Sequence, residues 1–402
     1  MTRTRAATAQ RLAVRPARVR AIRRRLLDWY ELNRRDLPWR RRSGNAYAQW
    51  VAEIMLQQTQ VDTVRAYYEP FLERFPDVRA LGSARLDEVL KRWEGLGYYR
   101  RAVNLHRAAQ QLVAQGSAIP GSADGLRELP GIGRYTSAAI ASIAYGEPVA
   151  AVDGNVTRVL SRLFGLAGDT AISGSGRARL TASVQSIADR LLDARRPGDF
   201  NQAWMDLGAT VCRPVRPKCH ACPLATLCQS RPSMTRAPPS LSDDSRDSRV
   251  RIRRTRAQRP ASPRVVQTVL LAWRGEALFM RQRPPNGLWS GLWEFPIVAE
   301  RAPDDSPEDA IESNASLVSG ALRALGLRAR GAPLVLETVA HRLTHRRYEF
   351  RPIAVAADDR TRCPPRTDAR GRWITPGERA RRAISTAHRR ILALAQRCRN
   401  ST

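Results

Sequence analysis

Leu129-Pro130-Gly131-Ile132-Gly133-Arg134-Tyr135-Thr136 leads directly into the apolar stretch Ser137–Ala144. Two glycines one residue apart let the backbone turn tightly and aim N–H groups outward at the start of a helix, a geometry that binds an anion. A plain helix–turn–helix connection uses the same residues. The surroundings therefore decide how the hairpin is read. From about residue 21 to 230 apolar residues recur at three- and four-residue spacing, as in Val51–Phe71, Leu86–Trp93, Ala102–Ala114, Ala138–Tyr145 and Gly176–Leu192. That period predicts helices, and strand-like alternation is scarce in this region.

The chain of 402 residues carries 68 Lys and Arg against 37 Asp and Glu, a formal net charge of +31. Such an excess points to a polyanionic partner. Only Lys91 and Lys218 are lysines, so the charge is almost all arginine. The guanidinium fork suits phosphate. A hydrophobic content of 43% excludes a disordered basic chain throughout. No run of eighteen apolar residues occurs, so no membrane span is expected. Met1–Arg25 lacks the apolar core and cleavage site of a secretory signal, although its composition alone also fits a mitochondrial presequence. A cytoplasmic, DNA-associated monomer is expected.

Composition divides the chain into a basic flexible arm (1–20), a helical domain (21–230), a Ser/Pro/Arg/Asp-rich linker (231–263) and a second domain (264–402). In the last, Val265–Leu271, Ala277–Arg281, Leu334–Val339 and Tyr348–Val355 alternate like strands, while Pro307–Leu325 and Glu378–Arg397 have helical spacing. The expected architecture is multidomain, all-α followed by α+β.

Cys212, Cys219, Cys222 and Cys228 are separated by six, two and five residues. Four thiolates within seventeen residues can converge on one inorganic centre in a reducing compartment. A single two-residue gap fits an iron–sulfur centre better than zinc, which stays the alternative. Between hairpin and cysteines lies Ala151-Val152-Asp153-Gly154-Asn155-Val156. Taken alone, Asp153 reads as a helix N-cap.

Hairpin, aspartate and four-cysteine loop, in this order, resemble the helix-hairpin-helix DNA glycosylase superfamily, iron–sulfur branch, across about residues 22–230. Its endonuclease III members carry a nucleophilic lysine two residues past the second glycine, where this chain has Tyr135. Glu53-Ile54-Met55-Leu56-Gln57-Gln58-Thr59-Gln60, Arg35-Asp36-Leu37-Pro38-Trp39, Trp93-Glu94-Gly95-Leu96-Gly97-Tyr98-Tyr99 and Phe200-Asn201-Gln202-Ala203 are similar to motifs of the MutY adenine-glycosylase branch. Gly287-Leu288-Trp289 and Gly291-Leu292-Trp293-Glu294-Phe295-Pro296 resemble that branch's C-terminal Nudix-like domain. Residues 297–330 hold only scattered acids such as Glu308 and Glu312, so this domain reads as a binder and not a pyrophosphatase.

The resemblance implies a monofunctional glycosylase that removes adenine paired with 8-oxoguanine or guanine in double-stranded DNA, with a [4Fe-4S] cluster on the four cysteines. Glu53 would be the general acid, and Asp153 would stay ionised and stabilise, or transiently bond to, the anomeric carbon, with Tyr135 and Asn155 orienting the pair. Leu37, Trp39, Arg40 and Gln202 would line the adenine pocket. Leu56 and Gln58 would enter the opened stack with Tyr98 as a wedge beside the lesion, Gln57 would contact the DNA, Gly131 and Gly133 hold a phosphate, and Thr344 and His345 read the lesion. In the last motif the family's Phe-Ser-His stands here as Leu343-Thr344-His345.

Overall fold

A computed structural model describes residues 15–42, 44–166, 174–231, 263–284, 287–301, 312–343, 346–358 and 371–400. The first stretch of chain is helical: α1 (Pro16–Asn33), α2 (Ala46–Leu56), α3 (Val61–Arg74), α4 (Val78–Ser83), α5 (Leu86–Arg92), α6 (Arg100–Ala114), α7 (Ala123–Arg127), α8 (Arg134–Tyr145), α9 (Gly154–Leu163), α10 (Gly174–Leu191) and α11 (Pro197–Asp206). Helix α1 starts inside the stretch expected to be a flexible arm. Pro16 at its first turn supplies a fixed φ suited to a helix start. Ile22, Leu26 and Tyr30 are buried at four-residue spacing. Arg18 is a clamp rather than a loose charge, donating from Nη2 to Leu227 O at 2.9 Å.

Val51–Phe71, expected to be continuously helical, is broken between α2 and α3. Gln58 there takes φ 58°, a left-handed backbone that ends a helix. Helix α8 begins after Gly133 and closes on Gly146 in the left-handed conformation, as helix C-termini commonly do.

Two compact units result: Met1–Ser83 with Asn104–Arg246, and Ala84–Val103 with Asp247–Thr402. The helical domain expected as one stretch thus gives up residues 84–103. The reason lies in ion pairs and hydrogen bonds. Asp87 accepts from Arg382, from Trp293 Nε1 at 3.1 Å and from Gln282 Nε2 at 2.9 Å. Glu94 pairs with Lys91 at 2.7 Å and Arg389 at 2.5 Å.

In the first unit, Ile22, Leu26, Tyr30, Leu160, Val184, Leu191, Phe200 and Trp204 bury a common core from α1, α9, α10 and α11. A smaller cluster of Ala138, Ala139 and Ala151, flanked by Tyr135 and Met205, brings α8 close to its neighbours because the side chains are small. This cluster positions the site described below.

The second unit holds a mixed sheet of β1 (Arg264–Arg274), β2 (Ala277–Gln282), β3 (Trp293–Glu294), β4 (Ile297–Arg301), β5 (Ala329–Val335), β6 (Val339–Arg342), β7 (Arg347–Ala357) and β8 (Arg372–Ile374). Its central pair, β1 with β7, is parallel from Arg264↔Arg347 to Trp273↔Ala356. Along β1, Val269 and Leu271 belong to one apolar cluster and Leu270 and Ala272 to another, so both faces are covered. Helix α12 (Glu312–Ala324) supplies Val318 and Leu322 to one face. After α13 (Pro376–Ala380), α14 (Thr386–Asn400) supplies Ala387 and Ile391 to the other. Two spans expected to be continuous are interrupted: Leu334–Val339 by the gap between β5 and β6, and Glu378–Arg397 by the turn between α13 and α14.

Candidate active site

Glu53 sits on α2 and is 4% exposed. Its neighbours Val51, Ala52, Ile54 and Met55 are buried as well. Both carboxylate oxygens are engaged: Gln49 Nε2 donates to Oε1 at 2.8 Å and the Tyr135 hydroxyl donates to Oε2 at 3.2 Å. Burial pushes the carboxyl up to about 7. The hydrogen bonds from Tyr135 and Gln49 oppose that rise, and the charge of Asp153 adds to it. A carboxyl tuned near neutrality holds a proton it can transfer.

Tyr135 reaches Glu53 because it is the second residue of α8, just past the hairpin. Burial and the two nearby carboxylates push its phenol well above the usual value, so it remains a donor. Its oxygen also lies 3.6 Å from Met205 Sδ. Gly131 in the hairpin has φ +83°, and a Cβ there would stand 2.7 Å from the Asn104 Cβ, so the turn itself requires glycine. Gly133 differs: its φ is −95° and a Cβ would meet nothing within 4 Å.

Asp153 caps α9. Its Oδ1 accepts from Val156 N at 2.7 Å and its Oδ2 from Asn155 Nδ2 at 3.0 Å. The N-cap reading is thus correct, and the same carboxylate is near enough to Glu53 to repel its charge. Asn155 accepts in turn from Arg158 Nη2 at 2.9 Å, while Arg158 Nε donates to Cys212 O at 2.9 Å.

On the neighbouring short 3-10 turn Pro38–Arg42, Trp39 is buried edge-on against Tyr68 at 5.6 Å, and Leu37 just before it is buried too. Arg40 Nε donates to Gln202 Oε1 at 2.9 Å, and Arg40 contributes to the electrostatics at Glu53. Leu56 and Gln57 are half-buried, with Gln57 Nε2 donating to Thr136 Oγ1 at 3.2 Å, whereas Gln58 is exposed. One unit therefore gathers Glu53, Tyr135, Asp153, Arg40 and Gln202. Tyr98 belongs to the other unit; it is 51% exposed with φ 46°. Thr344 and His345 lie outside the described residues.

Residues 51–174 match the family model of the HhH-GPD superfamily base excision DNA repair proteins. Residues 268–394 match a NUDIX domain. The Homo sapiens protein named adenine DNA glycosylase is 36% identical over 94% of this chain and 75% of its own length. This chain belongs to the adenine DNA glycosylase family. The Rattus norvegicus protein of that name is 36% identical over 96% of this chain and 80% of its own length. Its Arabidopsis thaliana namesake is 40% identical over 71% of this chain and 48% of its own length.

In this adenine DNA glycosylase family member, Cys212, Cys219, Cys222 and Cys228 line one cavity with Val159, Leu163 and Leu224. Arg162 Nη1 lies 3.4 Å from Cys212 Sγ and holds Arg213 O at 2.7 Å. Burial pushes the Cys222 thiol up to about 11, and the other three cysteines add to the rise. Among the described residues no group of three or more His, Cys, Asp or Glu is gathered as around a single metal ion.

Sequence reasoning missed Gln49, Met205, Asp206 and Arg158. Gln49 stands four residues before Glu53 and Asp206 four after Gln202, the spacing that puts two side chains on one helix face. That signal was available. Met205 and Arg158 act across elements and left none. No helix among the described residues is long and apolar enough to cross a membrane.

Proposed function

We propose that this protein is a monofunctional adenine DNA glycosylase acting on adenine opposite 8-oxoguanine or guanine in double-stranded DNA during base excision repair. The observation that carries this reading is Glu53: buried, pushed to about 7, bonded by Tyr135 and close to a second carboxylate. Adenine is a poor leaving group as an anion. A proton delivered by Glu53 to N7 lets it leave neutral. Asp153 then faces the cationic sugar until water adds at C1′ and gives its proton back to Glu53, dividing the task between two carboxylates as retaining glycosidases do. Tyr135 and Asn155 orient the pair through the bonds they make to it.

To present adenine to Glu53 the duplex must extrude it, at a cost of a few kcal/mol that intercalating side chains offset. Gln58 and Tyr98 suit that role, being exposed on left-handed backbone. Gly133 supports the phosphate-clamp reading of the hairpin. It is the N-cap of α8 and a Cβ there would meet nothing within 4 Å, so the helix N-terminus is open to a phosphate. The net charge of +31 gives the long-range attraction to DNA. A lyase needs an amine nucleophile. At the hairpin position stands Tyr135, whose hydroxyl is committed to Glu53.

The four sulfur donors lining one cavity suit a [4Fe-4S] cluster, with Arg162 beside Cys212 to balance negative charge. Bound there, the cluster would crosslink the loop rigidly. Cys212, Cys219, Cys222 and Cys228 would hold it, and Lys218, Arg213 and Arg216 on the same loop suit a phosphate backbone. The purified protein should be brown, and Cys219→Ser should lower iron content and DNA affinity together. Stoichiometric zinc in a colourless protein after anaerobic purification would refute the cluster.

Single-turnover assays on duplexes with adenine opposite 8-oxoguanine, adenine opposite guanine and thymine glycol test the function. The two adenine duplexes should yield intact abasic sites, thymine glycol should be untouched, and borohydride should trap no efficient adduct. Efficient trapping, or excision of thymine glycol alone, would overturn the reading. The Nudix-like domain would contribute lesion discrimination. Thr344→Ala with His345→Ala should lower the 8-oxoguanine-to-guanine rate ratio about 5- to 100-fold, the worth of one base-contact set. An unchanged ratio would remove these residues from lesion reading.

A further inference from the structure

Asp206, the last residue of α11, is fully buried. Its Oδ1 accepts from Arg35 Nε at 2.7 Å, and Arg35 Nη2 lies 2.7 Å from the same oxygen. Its Oδ2 accepts from Arg40 Nη1 at 2.8 Å and from Arg35 N at 3.2 Å. Arg40 Nη1 also donates to Arg35 O at 2.8 Å, so the guanidinium is held at one end by a carboxylate and a carbonyl. The other face of that fork, Nε, donates to Gln202 Oε1 at 2.9 Å.

A guanidinium has donors and no acceptor. The end of the Gln202 amide that faces Arg40 must therefore be its oxygen, whatever the base does. Its NH2 is left on the other side, where a single long bond, 3.3 Å to Gly198 O, uses one of two protons. The second proton is available to an acceptor.

We propose that Asp206 is a positioning residue that sets the hydrogen-bonding polarity of the base pocket. By pinning Arg40, it fixes the Gln202 amide with its N–H toward the base. The pocket then selects a base whose edge offers a ring-nitrogen acceptor there, and a base offering N–H at that place meets a donor. This rests on the proposed reading that Gln202 contacts the flipped adenine. Asp206 itself touches no base; it acts through Arg40. Without the Asp206 charge the half-buried Arg40 guanidinium keeps only the Arg35 carbonyl at that end and shifts. The amide is then held only by the long bond to Gly198 O and can turn over, so its N–H no longer faces the base in every molecule.

The test uses full-length protein and duplexes carrying adenine, 1-deazaadenine or 3-deazaadenine opposite 8-oxoguanine, each with one ring nitrogen replaced by C–H. Single-turnover rates relative to adenine are compared between proteins, so the intrinsic reactivity of each base cancels. In wild type one deaza substitution should cost at least tenfold more than it does in Gln202→Ala. Equal penalties in those two proteins would defeat the reading of Gln202 itself. Given a difference, Asp206→Asn should shrink the penalty to the Gln202→Ala level with duplex affinity held within about threefold. Adding Asp206→Asn to Gln202→Ala should change nothing further. Asp206→Glu should restore part of the penalty. A full wild-type penalty in Asp206→Asn, or additive losses in the double variant, would overturn the proposal. Should Asp206→Asn fail to fold, Arg40→Lys decides: it keeps the charge beside Asp206 but lacks the Nε–H that orients Gln202. An undiminished deaza penalty there overturns the proposal equally.

Discussion

Glu53→Gln is expected to bind the mispaired duplex and fail to release adenine, with the single-turnover rate down about 10²–10⁴-fold, the usual loss on removing a general acid. An amide holds no transferable acidic proton. The wild-type rate should also carry the signature of this group. Since Glu53 is pushed to about 7, it is protonated below neutrality and loses its proton above. The rate should be flat on the acid side and fall about tenfold per pH unit on the alkaline side, until other steps intervene. The variant's residual rate should lack that inflection. Near-wild-type excision by Glu53→Gln, or a wild-type rate that does not fall above pH 7, would remove Glu53 from proton transfer.

The same group predicts a stability effect of defined sign. Its folded value lies above the ordinary 4.5, so between about 4.5 and 7 the folded state binds more protons than the unfolded one. Stability from this group is full below 4.5 and is lost as pH rises through about 7. The loss is about 3 kcal/mol at 1.36 kcal/mol per unit. Denaturant unfolding at pH 5 and pH 8 should show wild type losing more stability over that interval than Glu53→Gln. The protein thus tolerates a destabilised carboxyl where the reaction needs one.

What was legible in the sequence divides along a physical line. The hairpin, the cysteine spacing and the Asp153 cap are local: each is fixed by a few adjacent residues whose backbone demands show in the residue types. Gly131 had to be glycine for its φ, and Asp153 had to be a capping residue. Glu53 was legible through its motif and the apolar residues around it, but the reason for its role needed Tyr135, 82 positions away. Asp206 with Arg40, 166 positions apart, left no periodic trace. In the second unit, β3 with two residues and β8 with three are too short for alternation to appear. The assignment of residues 84–103 to that unit depends on partners such as Asp87 and Arg382, 295 positions apart. The hydrogen bond of half-buried Arg18 to Leu227 O, likewise, ties an apparently loose basic stretch to the fold at the start of a helix.

Asp153→Asn separates the two tasks of that carboxylate. Asparagine caps a helix about as well as aspartate, so the bond to Val156 N can persist and α9 should keep its start. Only the charge goes. A removed electrostatic stabiliser typically costs about 10²–10³ in rate, and the fold should be preserved, with unchanged iron content and a duplex affinity near wild type. There is a second, finer consequence. The Asp153 charge is one of the causes that raise Glu53. With that charge gone, the Glu53 carboxyl should titrate lower, and the alkaline fall of the residual rate should begin at a lower pH than in wild type. A purely structural role for Asp153 would give the reverse pattern: an intact rate in Asp153→Asn, and losses of stability and activity together in Asp153→Ala, where the cap is removed as well. Measuring the rate, the inflection and the unfolding midpoint of both variants therefore distinguishes a carboxylate that faces the sugar cation from one that only begins a helix.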